Sequence, residues 1–109
     1  MKKNIIYINC ATIITEERVG HIFFNHNKDF ARIIIGMELT VNNPDFIVID
    51  VKNKNTIFYI KHFYKYNQNV VVKLSKSKKY KNSIISSWII NNKNLRRLIM
   101  KNIPVYKKK

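Results

Sequence analysis

Two of the three histidines stand five residues apart in the segment Arg18-Val19-Gly20-His21-Ile22-Phe23-Phe24-Asn25-His26. Imidazole is the one side chain that changes charge near neutral pH without special help. Metal-free cleavage of RNA needs a base for the ribose 2′-OH proton, an acid for the 5′-oxygen and a cation for the phosphate. His21, His26 and Arg18 supply those three groups from one stretch of chain. The competing use of a histidine at a helix end is a hydrogen bond to a nearby carbonyl. Metal is a third use, but histidines at i and i+5 chelate poorly on one helix, and Asp29 is the only carboxylate close by in sequence. No metal and no other cofactor is expected.

A second candidate group lies in Asn82-Ser83-Ile84-Ile85-Ser86-Ser87-Trp88-Ile89-Ile90. Strict alternation puts Ile84, Ser86, Trp88 and Ile90 on one face, and Ile85, Ser87 and Ile89 on the other. Ser86 is then a phosphate-binding hydroxyl and Trp88, the sole tryptophan, a surface for stacking a base. The plainer alternative is a hydroxyl satisfied within the sheet beside a core tryptophan. Lys73, in the Val-rich run Val70–Leu74, is a cation where packing alone would not place one. Tyrosines alternate with lysines at Phe63-Tyr64-Lys65-Tyr66 and Lys78-Lys79-Tyr80-Lys81, a composition suited to single-stranded nucleic acid. Lys61, Tyr64, Lys65, Lys79, Trp88 and Arg96 are therefore the candidate RNA-binding residues.

The charge distribution points the same way. The 109 residues carry 21 Lys+Arg against 6 Asp+Glu, a formal +15. All six acids fall in residues 1–50, whereas residues 51–109 have none and hold every base but Lys2, Lys3, Arg18, Lys28 and Arg32. An AT-rich coding bias enriches Lys, Ile and Asn, but it does not clear every carboxylate from half a chain. A polyanionic partner, RNA above all, fits this asymmetry. One cysteine, Cys10, excludes a disulfide framework and a Cys-based zinc site. Two glycines leave no phosphate-cradling loop. No apolar run approaches the roughly 20 residues of a membrane-spanning helix. The apolar N-terminal patch, broken by Asn9 and Thr12, lacks the continuous core of a signal peptide. Action in the cytoplasm is the default, with no membrane partner.

The elements that position these residues follow from periodicity. Asn4–Cys10 alternates weakly, as a short strand or an irregular arm. Thr15-Glu16-Glu17 opens a helix, with a hydroxyl cap and acids in its first turn. Val19, Ile22 and Phe23 give it an apolar stripe until Asn25–Asn27. A second helix, capped by Asn27 or Asp29, carries Phe30, Ile33, Ile34 and Met37 and runs to about Leu39. Asn42-Asn43-Pro44-Asp45 is a turn. Beyond it the period drops to two. Phe46–Val51, Thr56–Phe63, Val70–Leu74 and Ser83–Ile90 read as strands, joined by connections too short for parallel crossovers. Asn94–Met100 reads as a last short helix. The expected fold is α+β in one domain, residues 1–109: N-terminal helices on one face of a four-stranded antiparallel sheet. Its core spans about 15–100, with a basic tail over 101–109. The other sheet face is expected to be open and to carry Lys61 and Lys73.

The order Arg-x-x-His-Ile-x-x-x-His, Asn-Pro-Asp-Phe-Ile, Val-Val-Val-Lys, Ile-Ile-Ser-Ser-Trp, from about Arg18 to Arg97, resembles the phage-associated branch of the barnase–EndoU–colicin–RelE-like (BECR) nuclease superfamily. The resemblance implies helices on a four-stranded antiparallel sheet and metal-independent ribonuclease activity through 2′-OH transesterification. By position, His21 and His26 match the helix histidines, and Asn43-Pro44-Asp45 the turn that opens the sheet. Ser86 stands where the family's last strand usually has Thr. Such domains are toxins or effectors of phages and mobile elements. The partners implied are RNA, tRNA included, and an acidic inhibitor protein; export as an effector is the implied alternative to life in the cytoplasm. A small basic protein that binds nucleic acid without cutting it, or that blocks host machinery, is the other class of reading.

Overall fold

The computed structural model describes residues 4–77 and 79–109. In chain order the elements are β1 (Ile5–Tyr7), β2 (Thr12–Thr15), α1 (Glu16–Asn25), a 3-10 turn at Asn27–Asp29, α2 (Phe30–Asn42), β3 (Phe46–Ile49), β4 (Thr56–Phe63), β5 (Tyr66–Lys73), β6 (Asn82–Ile90), α3 (Asn92–Lys101) and β7 (Ile103–Lys107). The strands form one sheet in the order β1-β2-β6-β5-β4-β3-β7. All neighbours are antiparallel except β2 and β6, which pair in parallel through Thr12–Asn82 and Ile13–Ser83.

This corrects the expected four-stranded antiparallel sheet. The run β6-β5-β4-β3 is an antiparallel meander, but three further strands extend it and make the sheet mixed. Each added strand is short or weakly patterned. β2 has four residues behind an Asn-Cys-Ala break, and β7 combines Pro104 with lysines, which reads as a tail. Residues 103–107 are instead a strand, because the outer edge of β3 otherwise offers unpaired backbone groups. Pro104 is tolerated there since β7 is itself the sheet's edge.

The helices also differ from the expectation of one covered face. Ile22 of α1 and Ile33, Met37 and Val41 of α2 bury against Ile14, Val70, Val72 and Ile84. On the opposite face Leu95 of α3, with Leu98 and Ile99, packs on Val48, Phe58, Ile60, Val71 and Ile90. Each fully buried Leu, Ile or Phe adds about 1.5–3 kcal/mol, so both layers are needed for a stable chain. α3 starts just after Ile90 and delivers the chain to β7 beside β3, crossing β5, β4 and β3. The β6 end of that face stays uncovered.

A register shift between Val71 and Val72 gives β6 one extra residue. Ile84 therefore packs with the α1–α2 layer, while Ile85, Ser86 and Trp88 share the α3 face. Strict alternation had put Ile84 with Ser86 and Ile85 with Ser87; the bulge reverses both. Ser87 is fully buried toward α2, where its Oγ donates to the Asn69 carbonyl (2.7 Å) and accepts from Gln68 Nε2 (3.2 Å). Gln68 also donates to the Ile33 carbonyl of α2 (2.7 Å). This close approach requires Gly36, since a Cβ there would lie 2.1 Å from Gln68 Oε1.

Candidate RNA site on the open corner of the sheet

α1 follows β2 without a connecting residue, so it continues alongside β6 beyond the two residue pairs that β2 makes. Thr15 caps it by accepting from Arg18 N–H (3.3 Å), as its position before two glutamates predicts. Ile22 faces the sheet, whereas Arg18 and His21 are exposed. His26 is the C-terminal cap, its N–H bonded to the Ile22 carbonyl (2.8 Å). Its half-buried imidazole stacks on the Trp88 indole, with ring centroids 6.2 Å apart and planes at 28°.

Trp88 is part of the wall of a concavity of about 440 Å³ on the uncovered corner of the α3 face. Phe58, Val71, Ile85 and Trp88 supply its apolar lining, and Lys73, Ser86, Thr56, Asp50 and Asn53 its polar groups. These residues come from β4, β5, β6 and the β3–β4 loop. Exposed Lys73 donates from Nζ to the Lys54 carbonyl (2.8 Å), which fixes where its charge lies. Asp50 is the last acid of the chain. Partial burial works against its ionisation, but hydrogen bonds from the Asn53 side chain and from the Lys52 and Asn53 N–H groups outweigh it, with help from the Lys52 charge. The carboxyl is held below its ordinary range, so it acts as a fixed anion rather than as a proton carrier at neutral pH. Directly across from Trp88 lies Asn69, fully buried, whose amide Oδ1 and Nδ2 have no hydrogen-bond partner among the described residues.

Of the sequence candidates, Ser86, Lys73 and Trp88 meet here, and His26 reaches them through its stack on Trp88. His21 and Arg18 do not line the concavity. The two histidines are also turned about 140° apart by their five-residue spacing. Lys61 is a correction: it pairs with Gln68 and so lies on the α1–α2 face, opposite Lys73, and its Nζ donates to the Asn43 carbonyl (3.0 Å). Tyr64 and Lys65 form the β4–β5 turn at the far end of the strands, with the Lys65 ammonium 5.2 Å from the Tyr64 ring centre. Arg96 is exposed on α3, and Lys79 lies in the β5–β6 loop with its ammonium 5.8 Å from the Tyr80 ring centre. Asp50, Asn53, Thr56 and Phe58 were not among the candidates. Only Asp50 carried a signal, as the boundary of the acid-free half.

The third histidine has a structural task. Asn67 Nδ2 donates to the Ile90 carbonyl (3.2 Å) and to Asn92 Oδ1 (2.8 Å), so Asn67 Oδ1 accepts from His62 Nδ1–H at 2.8 Å. This ties the β4–β5 hairpin to the start of α3. Among the described residues no three His, Cys, Asp or Glu side chains gather as a metal site, and no helix is long and apolar enough to cross a membrane. Compared with known proteins, the chain matches no family model, no curated sequence and no solved structure.

Proposed function

We propose that this protein acts on RNA, as a metal-independent ribonuclease whose site is the open corner of the sheet. The observation that carries this reading is the meeting of Lys73 of β5 with Ser86 and Trp88 of β6 in one concavity, with His26, the residue that caps α1, stacked on Trp88 beside it. Trp88 stacks a base. Lys73 Nζ and Ser86 Oγ hold the phosphate as charge develops on its oxygens. His26 takes the ribose 2′-OH proton while the 2′-oxygen attacks phosphorus. The bond to the 5′-oxygen breaks, that oxygen takes a proton from water, and a 2′,3′-cyclic phosphate remains.

Binding without cleavage is the second reading. Its support is specific: His21 stands apart, so one imidazole rather than two adjoins the concavity. Incubation of the protein with short labelled RNAs in EDTA separates the readings. Cleavage predicts fragments ending in cyclic phosphate, lost in His26→Ala and retained in His21→Ala. Intact RNA, shifted on a gel by the native protein and by His26→Ala alike, would leave a binder.

A further inference from the structure

A second concavity, of about 370 Å³, lies between the Cys10–Ala11 segment and the β5–β6 loop; Ser75, Lys76, Ser77, Tyr80, Lys81 and Asn82 line it. The same two strands lead from one to the other. Lys73 of the first concavity is two residues from Ser75 of the second and pairs across the sheet with Ser83, the neighbour of Asn82. The loop is held in shape by its own bonds. Ser75 N–H donates to Asn82 Oδ1 (2.9 Å), Ser75 Oγ to the Ser77 carbonyl (2.8 Å), and Lys79 N–H to Ser77 Oγ (3.1 Å). Lys81 Nζ donates to the Cys10 carbonyl. Tyr80 is left with 66% of its surface exposed.

We infer that the two concavities form one track for single-stranded RNA, with Trp88 and Tyr80 as its two stacking points. The inference rests on the RNA reading above and specifies the substrate class and the direction in which the strand leaves the site. Trp88 and Asn82 are six residues apart on β6, about 20 Å at the strand rise. That length takes about six nucleotides at the roughly 3.4 Å per nucleotide of a stacked strand. Lys73, Lys76 and Lys81 are spaced along it for successive phosphates. An aromatic ring can stack only on a base that is free of a duplex, so paired RNA does not fit. The strand does not run to Tyr64 and Lys65, which project from the opposite end of the sheet, or to Lys61 on the other face.

The test uses the full chain and uncleavable 2′-O-methyl oligouridylates of two to eight nucleotides, with the fluorescence of the sole tryptophan as readout. Quenching is expected to strengthen with length up to about six nucleotides and then level off. Tyr80→Ala is expected to weaken binding of the six-nucleotide probe about tenfold, with Tyr80→Phe near the native value, because stacking needs only the ring. Tyr64→Ala should bind like the native protein. Quenching that Tyr80→Ala leaves unchanged, or that Tyr64→Ala abolishes, would overturn the track while leaving RNA at Trp88. No quenching at any length would remove the RNA reading itself, and the track with it.

Discussion

At the scale of single residues, Asn69 stands out among the described residues, because both polar atoms of its buried amide lack a partner. A fully buried amide with neither polar atom bonded costs about 1–3 kcal/mol relative to a satisfied one. Asn69→Leu, close in volume, is expected to raise stability by about that amount, measured as a higher urea midpoint at unchanged m-value. An unchanged or lower midpoint would show that the amide is satisfied in solution. Asp50 makes the opposite kind of contribution. Its folded pKa lies below the ordinary 3.8, so the stabilisation is present at neutral pH and is lost as pH falls through the folded value. The stability advantage of the native protein over Asp50→Asn is therefore expected to shrink on acidification below about pH 4 and to be flat above pH 6. An advantage that grew toward low pH would contradict the hydrogen-bonded carboxylate.

At the scale of elements, α1 and β7 matter most to the site and the sheet. α1 takes the place that a longer β2 would have filled beside β6, and this brings His26 from the helix layer to Trp88. Periodicity locates α1 and its Thr15 cap well, because both are local. It is silent on the partner of α1, because packing depends on β2 being too short to pair with β6 past Ser83. β7 completes the far edge by pairing with β3 from Phe46 to Ile49. Removal of residues 103–109 would leave that edge of β3 bare, with Ile49 already partly exposed. Concentration-dependent self-association, seen by sedimentation, is the expected result; a truncated protein that stays monomeric would show that β7 is dispensable for protecting the edge.

At the scale of the whole molecule, the division of charge governs how a polyanion is met. The acid-free second half supplies β4, β5, β6, α3 and β7, so most of the site comes from the strongly basic part of the chain, with Asp50 the carboxylate in its lining. Neutralising about three phosphates along the track, one for each of Lys73, Lys76 and Lys81, gives a slope of log K against log salt near −2 for a single strand. Titration of the six-nucleotide probe between 50 and 300 mM salt checks this. A slope near zero would mean that apolar contact alone holds the ligand, and that the charge asymmetry has another cause.

The sequence alone determined what is short-range. Residue type and spacing located α1 from Thr15, the strand over Thr56–Phe63 and the acid-free half, since caps, alternation and charge are properties of neighbours along a chain. It also brought Ser86, Trp88 and Lys73 forward, because a hydroxyl, an indole and an ammonium are conspicuous in apolar strands. The tertiary structure decided what depends on partners distant in sequence. The parallel pairing of β2 with β6 has no local signature, and Ile103–Lys107 becomes a strand only because β3 has an edge to offer. The bulge at Ile85 sets which face Ile84 and Ile85 take, and one residue of slip in a strand reverses its side chains. Lys61 and Lys73 part company for a related reason: the register of β4 on β5 assigns them to opposite faces. The separation of His21 from the site follows likewise from Ile22, whose burial against the sheet turns His21 to solvent and leaves His26, at the helix end, to reach Trp88.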